Sequence, residues 1–468
     1  MAEILMRFDA ARQALGCRFL DFRRDSGGGE TGGFSSVHID SREVAPGGLF
    51  VALAGSVHDG NRFVGAALKA GAVAALAAES ALEDPSLALE ETARKAGAVL
   101  FVLPDTLRGL QDLAAAYLSR FPGLLKVGIT GSSGKTTTKE IAAAIAGQEK
   151  AVAINPGNLN SETGLPLAVF TVRSHHEVGI FEMGMNRRGE IRELARVLKP
   201  AIALITNIGT AHIGIFGNKR AILEEKKAIF SEFTGTELAL IPEDETCRDE
   251  LAEGIAGRVF FYGAAACHEL GEVRDMGLEG TELIWEGKKV RFGLAGKHNL
   301  QDALAAIAIA RAIPVSSAAI REGLASVKPL FGRSEILRGA VTVICDCYNA
   351  NFESAAAAIS FCDDLKWPGR KLYVIGSMLE LGDSSVSAHR AIGSLLAASR
   401  ADRIFLYGAE TEAALASLDR VPGVFHTNAM EALAGELKGC LRSGDLVLLK
   451  GSRGCALERL SGVLAGVA

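Results

Sequence analysis

The sequence predicts an α/β protein of three domains. These are a small mixed N-terminal domain (residues 1–122), a central parallel-sheet domain of the phosphate-loop ATPase type (123–328) and a C-terminal Rossmann-like domain (329–468). Three observations predict this. The chain has 468 residues, and domains average about 150. Strand-like and helix-like runs alternate after residue 123, as in sheets with helices on both faces. The strand-like runs end in polar or glycine-rich residues, and in such sheets ligands bind at the carboxyl ends of the strands.

Composition narrows the class. Apolar residues make up 49% and charged residues 22%, ordinary for a globular chain. The net charge is −5 with no lysine-arginine block, which argues against nucleic acid as a partner. No apolar run approaches the ~20 residues that cross a bilayer, and the N-terminus lacks a signal pattern. Eight cysteines form no C-x-x-C pair. Cys345 and Cys347, two apart, would share a strand face. Free thiols in a reducing compartment are expected, hence a cytoplasmic protein without membrane insertion.

In the first domain, Ser26–Gly33 reads as a glycine-rich loop. Ser36–Arg42 and Pro46–Leu53 read as short strands joined by a turn at Pro46–Gly47. Asn61–Ala70 is helix-like and Gly71–Leu76 strand-like. Arg42 suits a diphosphate, or is a solvated surface group. Phe121-Pro122-Gly123 marks a boundary.

The second domain opens on the stretch that organises the rest, Lys126-Val-Gly-Ile-Thr-Gly-Ser-Ser-Gly-Lys-Thr-Thr-Thr138. A strand-like run ends in a glycine turn, and helix-like residues follow from Lys139 to Ala146. Backbone N–H groups and a helix N-terminus then converge, which attracts phosphate. Gly131 and Gly134 permit close approach, Lys135 reaches the β and γ phosphates, and the Thr136 hydroxyl suits the accompanying Mg²⁺. Ile129 stands where the usual phosphate loop has its first glycine.

Val178–Glu182 and Ala201–Asn207 are strand-like and end in polar residues. Glu182, Asn207 and His212 would gather at the edge that carries Lys135. Glu182 suits magnesium, which prefers oxygen ligands, or a salt bridge or helix cap. His212 is structural or a ligand. Ala221–Phe230 has helix spacing, and both Lys226 and Lys227 read as solvated surface lysines. Gly296–Ala310 opens with a turn and becomes an alanine-rich helix; Asn299 caps it or reads an adenine edge. In the third domain the strand-like runs are Val341–Cys345, Lys371–Ile375, Arg403–Tyr407 and Asp445–Leu449.

Taken together, these motifs resemble the Mur ligases, the ATP-dependent amide-forming enzymes of peptidoglycan precursor synthesis. Within them, the chain looks most like the branch that adds D-alanyl-D-alanine. The resemblance rests on Asp40-Ser-Arg42, Gly131-Ser-Ser-Gly-Lys-Thr136, Gly157-Asn-Leu-Asn160, Glu182-Met-Gly184, Asn207-Ile-Gly209 with Ala211-His212, and His298-Asn299. Gly332-Arg333, Tyr348-Asn-Ala-Asn351, Leu379-Glu-Leu-Gly382 and Lys450-Gly-Ser-Arg453 continue it.

The resemblance implies a first domain that binds UDP-N-acetylmuramoyl-tripeptide, with Ser41 and Arg42 near the nucleotide. It implies ATP on Gly131, Ser132, Ser133, Gly134, Lys135, Thr136 and Thr137, with Asn299 near adenine and Arg333 and Asp346 completing the site. Thr136, Glu182, His212 and Lys226 would serve Mg²⁺, Lys226 as a carbamate, since a carboxylate could help where an ammonium could not. Lys135, Glu182, His212 and Lys226 would be the catalytic set. Asn160, Tyr348 and Asn351 would contact substrate, and the third domain would receive D-alanyl-D-alanine. A monomer is expected.

Several positions depart from the family pattern: Gly48, Asn61, Ala228, Asp302, Cys345, Ser377 and Phe352. Rival readings are a diamino-acid-adding Mur ligase, a folate polyglutamate ligase and a non-catalytic nucleotide-binding scaffold. The first should carry an Asp-Asn-Pro-type motif where Tyr348-Asn-Ala-Asn351 stands. The second leaves Asp40-Ser-Arg42 unexplained. A GTPase switch fails, because Ala221 stands where Asn218-Lys219 would need an aspartate.

Overall fold

A computed structural model describes residues 3–23, 32–55 and 58–465. The chain divides into two compact units, each with its own sheets. The first comprises Met1–Lys126, Ala151–Met185 and Glu190–Pro200; the second comprises Val127–Lys150, Asn186–Gly189 and Ala201–Ala468.

The first unit holds a sheet in the order Arg18–Asp21, Val99–Leu103, Ala74–Ala78, Leu49–Val51, Val37–His38. Only the Arg18–Asp21 pairing is antiparallel. Val99–Leu103 is buried throughout, so it reads as an unbroken apolar run rather than an alternating one. Val37–His38 and Leu49–Val51 pair in parallel, so Pro46–Gly47 belongs to a crossover and does not reverse the chain. Most of the glycine-rich loop expected at Ser26–Gly33 lies outside the described residues. Gly33 itself pairs with Arg7 in a two-residue strand. Asp105 caps the helix Thr106–Leu118 by accepting from Arg108 N at 2.9 Å. Val178–Glu182 runs parallel to Val152–Ile154.

In the second unit, residues 127–130 of the strand Leu125–Thr130 pair with Ile202–Ile205, which pairs in turn with Leu238–Pro242 and that with Arg258–Tyr262, all parallel. The helix after the phosphate loop spans Lys135–Ala146, four residues earlier than the sequence suggests. Three β-branched threonines lower helix propensity, but Thr138 is fully buried and its N–H bonds Gly134 O at 2.8 Å. Tertiary packing overrides the local preference. Helix Ser317–Ser326 crosses Lys135–Ala146 so closely that a Cβ on Gly323 would lie 2.4 Å from Ile145 Cα.

An antiparallel sheet of Leu270–Asp275, Thr281–Trp285 and Lys288–Phe292 is absent from the sequence reading. Its hairpin turns at Glu286 (φ 46°) and Gly287 (φ 74°), the two-residue loop with positive φ that strand twist favours.

The last sheet runs in the order Glu335–Leu337, Thr342–Asp346, Leu446–Lys450, Lys371–Gly376, Arg403–Tyr407, Val424–Thr427. All pairs but the first are parallel. Alternate residues feed two cores: Ile344, Tyr373 and Leu448 on one face, Val343, Val447 and Leu449 on the other.

Candidate active site

The phosphate loop is Gly131–Gly134, between strand and helix. Two of its glycines are obligatory on steric grounds. A Cβ on Gly131 would lie 1.7 Å from Thr206 Oγ1, and one on Gly134 (φ 78°) 2.0 Å from Asp302 Oδ1. The loop is lashed to residues 206–209. Thr206 Oγ1 donates to Ser133 O at 2.6 Å, Ser132 Oγ accepts from Gly209 N at 2.8 Å, and Asn207 Oδ1 accepts from Ser133 N at 3.1 Å. Gly134 brings no side-chain oxygen to the first helical turn, so the turn's N–H groups suit an anion. Lys135 and Thr136 belong to that turn.

Lys135 Nζ donates to Gly131 O at 2.9 Å, and Lys226 Nζ donates to the same oxygen at the same distance. Lys226 is 1% exposed. It lies on helix Lys219–Lys227, which Asn218 caps. Burial above all, and then the neighbouring Lys135 charge, hold the Lys226 amine well below the ordinary lysine range. Both effects disfavour the charged ammonium. The surface reading is thus corrected for Lys226. Lys227, next to it on that helix, is half-buried and bonds Glu250 O at 2.6 Å.

Two carboxylates from beyond residue 350 grip the segment that follows Asn207. Glu353 accepts from Thr210 N at 2.9 Å and Thr210 Oγ1 at 2.8 Å. Glu380, within Leu379-Glu-Leu-Gly382, lies 2.8 Å from His212 Nδ1. The imidazole contact, outweighing burial, lowers the Glu380 carboxyl below its usual range. Nε2 remains as the His212 nitrogen for a further ligand. Gly214 passes so close that a Cβ there would lie 2.4 Å from Gly382 N.

Asn299 is buried and donates to Ala295 O at 2.7 Å. It does not cap the helix Lys297–Ala312, whose N-cap is Gly296. Asp302, on the same helix, is buried against the phosphate loop. Desolvation pushes its carboxyl well above the usual range, only partly opposed by Arg333, Thr138 and Lys135. The Arg333 guanidinium stacks 4.1 Å from the Tyr348 ring centre. Asp346 accepts from Lys450 Nζ at 2.7 Å and Ser334 N at 3.2 Å. Asn351 caps helix Phe352–Asp364 in a capping box with Ser354.

The first unit carries the other expected residues. Glu182 is 2% exposed. Asn155 brackets its backbone, with Glu182 N to Asn155 Oδ1 at 2.9 Å and Asn155 Nδ2 to Glu182 O at 3.0 Å. Asn160 Nδ2 donates to its carboxylate at 2.6 Å. Asn160 therefore orients Glu182 within this unit. Ser41 is half-buried. Arg42 forms a two-pronged pair with Asp40 (Nε–Oδ1 2.9 Å, Nη2–Oδ2 2.5 Å), with its side chain 87% exposed. The guanidinium lowers the Asp40 carboxyl to about 2.

The second unit thus brings together Lys135, Lys226, Asn207, Asp302 and Arg333 around one loop, with His212 on the segment that binds it. Glu182, Ser41 and Arg42 belong to the first unit. Sequence reasoning missed Asn155, Thr206 and Glu353 as supports. Glu353 and Thr210 are 143 residues apart, and nothing local announces the pair.

Comparison with known proteins gives three family matches in chain order. The Mur ligase family catalytic domain matches residues 34–117, the Mur ligase middle domain 129–310, and the Mur ligase glutamate ligase domain 332–453. The chain is 43% identical to the UDP-N-acetylmuramoyl-tripeptide–D-alanyl-D-alanine ligase of Treponema pallidum, over 98% of this chain and 99% of that one. Its fold is similar to crystal structure I of MurF from Acinetobacter baumannii, with TM-score 0.87, 29% identity and 99% of each chain covered. It is also similar to the MurF ligase of Thermotoga maritima in complex with ADP, with TM-score 0.77, 28% identity, and 92% and 97% covered.

Proposed function

The chain belongs to the Mur ligase family, and from that premise we propose that it joins D-alanyl-D-alanine to UDP-N-acetylmuramoyl-tripeptide at the expense of ATP. The observation that carries the reading is the convergence of Lys135 and Lys226 on Gly131 O, in a loop built for phosphate. It is an ADP-forming ligase of peptidoglycan precursor synthesis.

The reaction has two steps. A carboxylate oxygen of the tripeptide attacks the γ phosphorus of ATP, the bond to the β-phosphate bridge breaks, and ADP leaves an acyl phosphate. The amine of D-alanyl-D-alanine then attacks the acyl carbon, loses a proton to solvent, and phosphate departs. The first step brings anions together, so fixed positive groups dominate its cost. Lys135 and the first-turn N–H groups of Lys135–Thr137 supply them, on a loop held by Thr206, Asn207 and Gly209. Arg333 brings a further cation and Asp346 a carboxylate held by Lys450.

The reading assigns magnesium to Thr136, Glu182, His212 and Lys226 as its carbamate; the Thr136 hydroxyl and the Glu182 carboxylate are each hard oxygen donors of the kind that ion prefers. Held by those residues, magnesium would supply neutralisation of the developing phosphate charge. A carbamate forms when a neutral amine attacks CO₂ and releases a proton, and the depressed affinity of Lys226 for protons supports that step.

Residues 1–122 bind the UDP-muramoyl end through Ser41 and Arg42, residues 123–328 bind ATP with Asn299 near adenine, and residues 329–468 complete the ATP site and receive D-alanyl-D-alanine near Tyr348 and Asn351. Asn160 serves the substrate through Glu182. Among the described residues no helix is long and apolar enough to cross a membrane, and the working enzyme is a cytoplasmic monomer. The test is phosphate release that requires ATP, a UDP-muramoyl tripeptide and D-alanyl-D-alanine together. Equal release without either acceptor overturns the reading.

A further inference from the structure

Glu380, which faces His212, stands on a loop whose support lies elsewhere. The loop follows strand Lys371–Gly376 and precedes helix Ser385–Ala397. Glu380 has φ 65°, a left-handed conformation that a residue with a Cβ keeps only when its surroundings impose it. The backbone around it is pinned bond by bond. Ser377 N donates to Tyr407 O at 2.9 Å, Leu379 N to Ser452 Oγ at 2.9 Å, and Gly214 N to Glu380 O at 3.2 Å. Between the first two, Met378 N donates to His389 Nε2 at 3.0 Å.

His389 belongs to helix Ser385–Ala397 and is 1% exposed. Because Nε2 accepts a backbone N–H, the ring proton sits on Nδ1, which donates to Ser385 O at 2.8 Å. Both ring nitrogens are thereby used. Burial lowers the proton affinity of the ring, which keeps Nε2 an acceptor. An apolar side chain of that size would leave Met378 N unpaired in the interior.

We propose that His389 is a positioning residue for the ligation: by holding Met378 N, it sets the loop that presents the Glu380 carboxylate to His212. This role rests on the reading of His212 as a magnesium ligand. Glu380 Oε2 lies 2.8 Å from His212 Nδ1, and a carboxylate on one ring nitrogen orients an imidazole whose other nitrogen binds metal. A loop released at Met378 lets Glu380 relax out of its left-handed conformation, and His212 loses its orienting partner.

Two substitutions separate the two bonds of the ring. In His389→Gln the terminal oxygen takes the place of Nε2 and keeps an acceptor for Met378 N. In His389→Asn the side chain reaches only the Nδ1 position, so the bond to Ser385 O is kept and the one to Met378 N is lost. Each full-length variant carries histidine labelled at its ring nitrogens, with no nucleotide or metal added, and His212→Ala assigns the His212 resonances. Those resonances should move in His389→Asn and stay in place in His389→Gln. In the phosphate-release assay, His389→Asn should need about tenfold more Mg²⁺ for half-maximal rate, as when a supporting partner of a metal ligand is lost. The KM for the muramoyl substrate should not change, and His389→Gln should recover most of the loss. Added to Glu380→Ala, His389→Asn should cost less than about twofold more, because its effect runs through Glu380.

Equal losses in the two His389 variants, a full additional loss in the Glu380→Ala background, or unmoved His212 resonances in His389→Asn would overturn the proposal. If His389→Asn does not fold, His389→Gln carries the test, and a departure of its Mg²⁺ dependence or His212 resonances from the parent overturns it. A His212→Ala variant that ligates like the parent would overturn the magnesium reading of His212 instead, while the resonances report on the loop separately.

Discussion

Two loops carry the positive groups assigned to phosphate, and they are built in opposite ways. Around Gly131–Gly134, each polar neighbour is fixed by another part of the chain: Thr206 holds Ser133 O, Gly209 holds Ser132, and two lysines share Gly131 O. At Asp40–Arg42, the arginine is 87% exposed and bonds a carboxylate two residues away. The first loop has its charges oriented before any ligand arrives. The second keeps its charge solvated and must give up part of a local ion pair to bind. Preorganisation in the first raises the expected cost of each substitution. In the second, solvent and a neighbouring carboxylate blunt it.

The sharpest test of that contrast is Lys135→Ala. Ligation should fall by about 10²-fold or more, as when one preorganised transition-state partner is lost. The melting temperature should change little, because Lys226 still donates to Gly131 O. Retention of more than about a tenth of the activity would remove Lys135 from the site. Lys226→Ala comes next, with a loss of about 10–100-fold. Acetate or formate in the assay should restore part of the activity by occupying the vacated carboxylate position. Lys227→Ala should stay near the parent, since one residue along a helix turns the side chain about 100° away. A damaging Lys227→Ala with a silent Lys226→Ala would reverse the carbamate assignment.

In the exposed loop, UDP alone should compete with the muramoyl substrate. Arg42→Ala should weaken that competition by no more than about tenfold, with the melting temperature unmoved. An unchanged UDP inhibition constant would assign the loop another role. The smallest effect expected is on stability, from Asp302→Asn. The Asp302 carboxyl titrates higher folded than unfolded, because burial outweighs the opposing Arg333, Thr138 and Lys135. Its favourable term is complete below the unfolded carboxyl range and is lost as pH rises towards the folded value. The nearby Tyr262 hydroxyl, raised mainly by its own burial, titrates only at alkaline pH. Differential scanning calorimetry should therefore show Asp302→Asn gaining on the parent as pH rises from 4 towards neutrality, and a pH-independent difference would show that packing alone decides.

Much of the scaffold was legible because strand ends and glycine turns are local signals. The strands at Val178–Glu182 and Arg403–Tyr407 lie where their apolar runs do. Burial of Lys226 was legible in principle. Ile222, Leu223 and Lys226 are three and four residues apart, so they share one helical face, and all three are buried. Reading the lysine by its charge hid a position set by helical period. The short, half-exposed strands of 270–292 carry too little apolar contrast to stand out, although their Glu286–Gly287 turn is a signal. Glu353 and Asn155 act through partners that only the folded chain supplies.

The grip of Glu353 on Thr210 and of Glu380 on His212 has a consequence for protein engineering. The region beyond residue 350 is not a freely exchangeable module. A chimaera that grafts this region from another ligase inherits one half of each pairing. Unless the graft also brings the 207–214 segment that matches it, two acidic side chains face unsuited neighbours. Breakpoints for recombination should therefore keep those segments on the same parental side.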